Sequence, residues 1–117
     1  MKDITILHHP RCSKSRQTLQ LLKDRDYDPV IVEYLKTPLS AEALQAIKVK
    51  LDVSSFKDMM RIKEAEFKQL ALNADGITET QLLDAMVACP KLIERPIVIT
   101  EMHAKIGRPP EQVLEIL

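Results

Sequence analysis

The sequence has no tryptophan and only two tyrosines and two phenylalanines, so aromatic residues make up 3% of it. Its hydrophobic fraction is still an ordinary 45%, and the expected core is therefore aliphatic, built mainly from Leu and Ile. There is no excess of either charge, because 17 Lys and Arg balance 17 Asp and Glu. Such a surface is poorly suited to indiscriminate binding of nucleic acid or membrane, so neither partner is expected, although a local basic pocket is compatible with the balance. No apolar run approaches the length of a membrane span, and the N-terminal run ITIL is too short for a signal peptide and is cut by His8 and His9. A cytoplasmic protein is expected. Cysteine is scarce as well: Cys12 and Cys89 stand far apart, outside any Cys-x-x-Cys pair or zinc-type cluster. No metal site is expected, and both cysteines should be thiols in a reducing compartment.

The 117 residues suit one domain with a single core. Residues 4–8, ITILH, read as a short buried strand ended by His-Pro, and SKSRQTLQLLKDRD follows with helical spacing and serines where a cap is wanted. PVIVEYL, residues 29–35, reads as a second buried strand, which completes a βαβ unit. Ser40 caps a helix in which Leu44, Ile47 and Leu51 share a face, short helices follow up to a turn at residues 73–76, and Thr78 caps a further helix ended by Pro90. PIVIT, residues 96–100, and AKIG, residues 104–107, read as a hairpin, and PPEQVLEIL as a last helix opened by proline. The order β-α-β, helices, β-β-α is that of an α/β, thioredoxin-like fold: a mixed sheet flanked by helices, with a helical insertion at about residues 40–90 of a single domain.

Cys12 then falls at the mouth of the first helix, where backbone N–H groups and the positive end of the dipole favour an anion. A free thiol is only a few per cent ionised at neutral pH, so a working cysteine needs such support. Lys14, Arg16, Arg11 and the two histidines add polar or cationic neighbours, and Ser15 is placed to donate its hydroxyl to a thiolate. A lone cysteine is more often buried filler. Flanks of His-His-Pro-Arg and Ser-Lys-Ser-Arg are poor surroundings for filler and favour a reactive thiol, whereas Cys89, after an apolar helix and before Pro90, reads as a packing residue. Pro96 opens a strand, a permitted place for proline. In thioredoxin-like folds the proline there is usually cis and lies against the active cysteine, which would bring Arg95 beside Cys12. Arg61 and Arg108 read, one at a time, equally well as surface arginines.

Taken together, HHPRCSKSR at 8–16, MMRIKE at 59–64, ERPIVIT at 94–100 and IGRPPEQVLEIL at 106–117 resemble the glutaredoxin-dependent arsenate reductase family, known as the ArsC family, and within it the short bacterial members of the YfgD type. The resemblance implies a reductase in which the Cys12 thiolate forms an adduct with arsenate or a similar oxyanion. It also implies oxyanion-binding arginines at Arg61, Arg95 and Arg108, with His8 and Ser15 supporting the thiolate. Glutathione would act as co-substrate and glutaredoxin as partner, with no bound cofactor, and the protein would be a monomer. The best-known members read Asn where this chain has His9, and Gly-Thr where it has Ser13-Lys14. Two other functions share the fold: an Spx-type regulator that grips RNA polymerase, which normally carries Cys-x-x-Cys where this chain has Cys12-Ser-Lys-Ser15, and a thiol reductase acting on something other than arsenate. A Cys-x5-Arg phosphatase loop is excluded, because the sixth residue after Cys12 is Thr18.

Overall fold

A computed structural model of the chain describes residues 3–117. They form two compact units, one made of the residues up to Thr37 together with Arg95–Leu117, the other of Pro38–Glu94.

The first unit is organised by a four-stranded mixed sheet of order β2-β1-β3-β4, the sheet of a thioredoxin-like fold. Strand β1 (Thr5–Leu7) pairs in parallel with β2 (Val30–Val32) across the intervening helix α1 (Ser13–Asp24), and antiparallel with β3 (Ile97–Ile99), which forms a hairpin with β4 (Ala104–Ile106). Ile6, Leu22, Val98 and Val113 are completely buried and pack with Ile4 into one aliphatic cluster. Each such side chain contributes about 1.5–3 kcal/mol by leaving water. The second strand differs from its sequence expectation. It holds three residues, and Val30 and Ile31 are 60% and 44% exposed, because β2 lies at the edge of the sheet with β1 on one side only. Beyond it the backbone turns, as Lys36 and Thr37 donate to the Glu33 carbonyl at 2.9 Å each, so Tyr34 is buried but lies outside the strand. The last segment differs too. Pro110–Ile116 is a 3₁₀ helix with the Gln112 N–H bonded to the Pro109 carbonyl; so short a segment has few α-type bonds to lose, and the burial of Val113 holds it.

In the second unit, α2 (Ala41–Leu51) starts where Ser40 Oγ accepts from the Ala43 N–H and stops where Asp52 turns left-handed. A 3₁₀ turn (Phe56–Met59) and the five-residue α3 (Ala65–Gln69) follow. Gly76, at φ 82°, makes the turn into α4 (Glu79–Ala88), which carries a full capping box between Thr78 and Gln81. Glu79 also reaches back to accept from the Ser55 hydroxyl and the Phe56 N–H, both at 2.8 Å. Among the described residues no helix is long and apolar enough to cross a membrane.

Candidate active site

Sheet register decides what gathers at one end of the first unit. Leu7 lies opposite Val32 on one side and Ile97 on the other, and Ile97 lies opposite Ile106. The residues just after Leu7, just after Val32, just before Ile97 and just after Ile106 therefore leave the sheet at the same end. Those are His8 to Cys12, Glu33 to Lys36, Arg95-Pro96, and Gly107-Arg108.

The loop from β1 to α1 is closed by its own backbone: the Cys12 N–H donates to the His9 carbonyl at 3.0 Å, and the Cys12 carbonyl accepts from the Arg16 N–H at 3.0 Å. Cys12 is thus the N-cap of α1, with Ser13 as the first helical residue, so the cysteine takes the capping place that the sequence suggests for a serine. Its side chain is half-buried and makes no full capping hydrogen bond. Arg108 Nη2 stands 3.5 Å from Cys12 Sγ, and Arg108 Nε donates to the Arg95 carbonyl at 2.8 Å, so one guanidinium ties together two loops brought to the sulfur by different strands. Burial pushes the Cys12 thiol up, but the Ser15 backbone N–H, hydrogen bonding from Arg95, and the charges of Arg108 and Arg95 outweigh it and hold the pKa below the ordinary cysteine value. The Arg95–Pro96 bond is cis, and the Gly107 N–H donates to the Pro96 carbonyl at 2.9 Å.

Ser15 acts differently from its sequence expectation. Its fully buried hydroxyl lies 2.7 Å from His8 Nδ1 and accepts from the His9 N–H at 3.0 Å. The hydroxyl therefore braces the loop through His8 and His9, and it is the Ser15 backbone N–H that favours the thiolate. Burial, only partly opposed by Glu33, holds the His8 pKa below its ordinary value.

Arg61 belongs to the other unit. Its Nε donates to Glu64 at 2.8 Å and its Nη1 to Glu94 at 3.2 Å, while its backbone N–H donates to the Leu92 carbonyl. Glu64 lies three residues on in the same turn, and the bridge between Met60 and Ile93 is what brings Glu94 near. Within the first unit the structure brings together Cys12, His8, Ser15, Arg95, Pro96 and Arg108. Sequence reasoning passed over Gly107: a Cβ there would stand 2.6 Å from Thr18 Oγ1 and 2.8 Å from Pro96 Cγ, so only glycine lets the Arg108 loop lie this close to α1. Among the described residues no group of three or more His, Cys, Asp and Glu side chains could hold a metal ion.

A half-buried thiol with a lowered pKa, faced by two guanidinium groups and a helix N-terminus, is suited to attack on an oxyanion. A sequence model of the ArsC family matches residues 7–116. The chain belongs to the ArsC family. YfgD of Escherichia coli strain K12 is 49% identical over 116 residues, covering 99% of this chain and 98% of that protein. An arsenate reductase of Haemophilus influenzae is 46% identical over 98% of this chain and 99% of its own length. Among solved structures, an arsenate reductase from Vibrio cholerae superposes with a TM-score of 0.97 at 45% identity, covering 99% of this chain and 98% of that one. Membership marks this ArsC chain as an enzyme and agrees with the thioredoxin-like sheet described above.

Proposed function

We propose that this ArsC enzyme reduces arsenate to arsenite with Cys12 as nucleophile. The observation that carries the reading is the convergence of Arg108 and Arg95 on the Cys12 sulfur, since arsenate presents several negative oxygens to be neutralised as the thiolate approaches, and arginine pairs with oxyanions in bidentate fashion. In the first step a sulfur–arsenic bond forms and one arsenate oxygen leaves as water after taking up protons. Two thiol equivalents then supply the two electrons, so that arsenate and two thiols become arsenite, one disulfide and water. Ser15 occupies the place of a second redox cysteine, and the resolving thiols come from outside: glutathione as co-substrate and glutaredoxin as partner, in a cytoplasm that keeps thiols reduced. The reading rests on Arg95 and Arg108 and takes the enzyme as a monomer.

Arsenite formation measured with arsenate, glutathione and glutaredoxin tests it. The wild type is expected to turn over and Cys12→Ser to lose about a thousandfold or more of the rate, as for removal of a covalent nucleophile. Equal rates in the two proteins would overturn the mechanism.

A further inference from the structure

Helix α1 buries one stripe of side chains, Ser15, Thr18 and Leu22. Ser15 braces the loop before Cys12, and Leu22 packs in the aliphatic cluster. The third, Thr18, is fully buried as well. Its hydroxyl donates to the Lys14 carbonyl one turn back at 2.8 Å, a bond that selects one rotamer and so fixes both branches of the side chain. Those branches face the Arg108 loop. A Cβ built on Gly107 would stand 2.6 Å from Thr18 Oγ1, 3.3 Å from Thr18 Cγ2 and 2.8 Å from Pro96 Cγ, so Thr18 and the Pro96 ring together fill the space that a side chain at 107 would need. Gly107 and Pro96 are the immediate chain neighbours of Arg108 and Arg95, and the Gly107 N–H donates to the Pro96 carbonyl at 2.9 Å. The two arginine loops are therefore tied to each other at this point, and Thr18 is their stop against the helix that Cys12 begins.

We propose that Thr18 is a positioning residue for the nucleophile: its two branches set the spacing between α1 and the paired loops, and through that spacing the reach of Arg95 and Arg108 to the Cys12 sulfur. It acts through Gly107 and Pro96, not on the sulfur itself. With Arg108 Nη2 at 3.5 Å from Sγ, a small displacement of the loop takes the guanidinium out of hydrogen-bonding reach. The inference rests on the reading of Cys12 as nucleophile, and its test needs no arsenate.

The measurement is the pH midpoint of Cys12 labelling by iodoacetamide in the full chain, with Cys89 labelling and thermal melts reporting that each variant is folded. Thr18→Ala removes both branches and should raise the midpoint by about half a pH unit, the direction expected when cationic support of a thiolate weakens. Thr18→Val keeps two branches on Cβ and should restore the midpoint to within about 0.2 unit of the wild type, with Thr18→Ser, which loses only Cγ2, between the two. Two double variants separate positioning from general loosening. In an Arg108→Ala background Thr18→Ala should add about half or less of the shift it gives alone, since one of the guanidinium groups it places is gone. Combined with Gly107→Ala it should bring the midpoint part of the way back, because the branches that a methyl at 107 would meet at 2.6 and 3.3 Å are no longer there. An unchanged midpoint in folded Thr18→Ala, or shifts that simply add in both double variants, would overturn the proposal. Arsenite formation is read separately: this labelling pattern in a protein that makes no arsenite would keep Thr18 in its role and remove the arsenate reading, and additive shifts in an enzyme that does make arsenite would do the reverse.

Discussion

The two cysteines stand at opposite ends of helices, and both are half-buried thiols. Cys12 is the N-cap of α1, while Cys89 is the C-cap of α4, its N–H bonded to the Ala85 carbonyl at 2.7 Å and Pro90 following at once. At the first position free N–H groups and two arginines point at the sulfur. At the second the helix offers carbonyls, and the cationic neighbour Lys91 is bonded to Glu66 at 3.1 Å. Exposure therefore does not separate the two; the end of the helix and the company it keeps do.

The largest effect expected from this contrast is in labelling. Limiting iodoacetamide at neutral pH should modify Cys12 ahead of Cys89 by about tenfold or more, read by peptide mass spectrometry, because nucleophilic attack requires thiolate. Preferential modification of Cys89 would break the comparison. Next comes the cationic support. Arg108→Ala should raise the pH midpoint of Cys12 labelling and slow it about threefold to tenfold at neutral pH, with Cys89 labelling unchanged; Arg95→Ala should act in the same direction and weaken oxyanion binding as well.

The two glycines sharpen the comparison through packing. Gly107→Ala drives a methyl into Thr18 and Pro96 and should cost about 1–3 kcal/mol, seen as a fall of several degrees in Tm together with slower Cys12 labelling. At Gly76 nothing lies within 4 Å of an added Cβ, and the cost arises from φ 82° alone; Gly76→Ala should lower Tm by less and leave Cys12 reactivity untouched. The smallest effect concerns His8. Because its folded pKa lies below 6.5, the unfolded chain binds a proton that the folded chain does not as pH falls from about 6.5 through the folded value, and stability should drop across that window. The lowered carboxyl groups of Glu66 and Glu79 act only at lower pH, below about 4.5. Thermal melts between pH 7.5 and 5.5 should show the loss in the wild type and a flatter profile in His8→Asn; parallel profiles would remove His8 as its source.

Local pattern carried much of this. The alternation from an apolar run through His-His-Pro to a helical stretch placed Cys12 at a helix mouth, and Ser40 and Thr78 sit where their caps were read. What the pattern could not show were the places where burial depends on neighbours. PVIVEYL reads as a buried strand, yet Val30 and Ile31 face solvent because nothing pairs beyond β2. Ser15 reads as a donor to sulfur, and its hydroxyl is instead taken by His8 and His9.

By itself the sequence determined the order of elements, the thiol at the start of α1 and the aliphatic composition of the core, since those follow from periodicity, capping chemistry and residue type within a few positions of one another. Which distant arginines reach the thiol was decided only in three dimensions. Arg95 and Arg108 are both two residues outside the row Leu7–Ile97–Ile106, and a shift of that register by one residue would turn their side chains to the other face of the sheet. The lowered pKa of Cys12 is thus a property of strand pairing across more than eighty residues of chain as much as of the helix it begins.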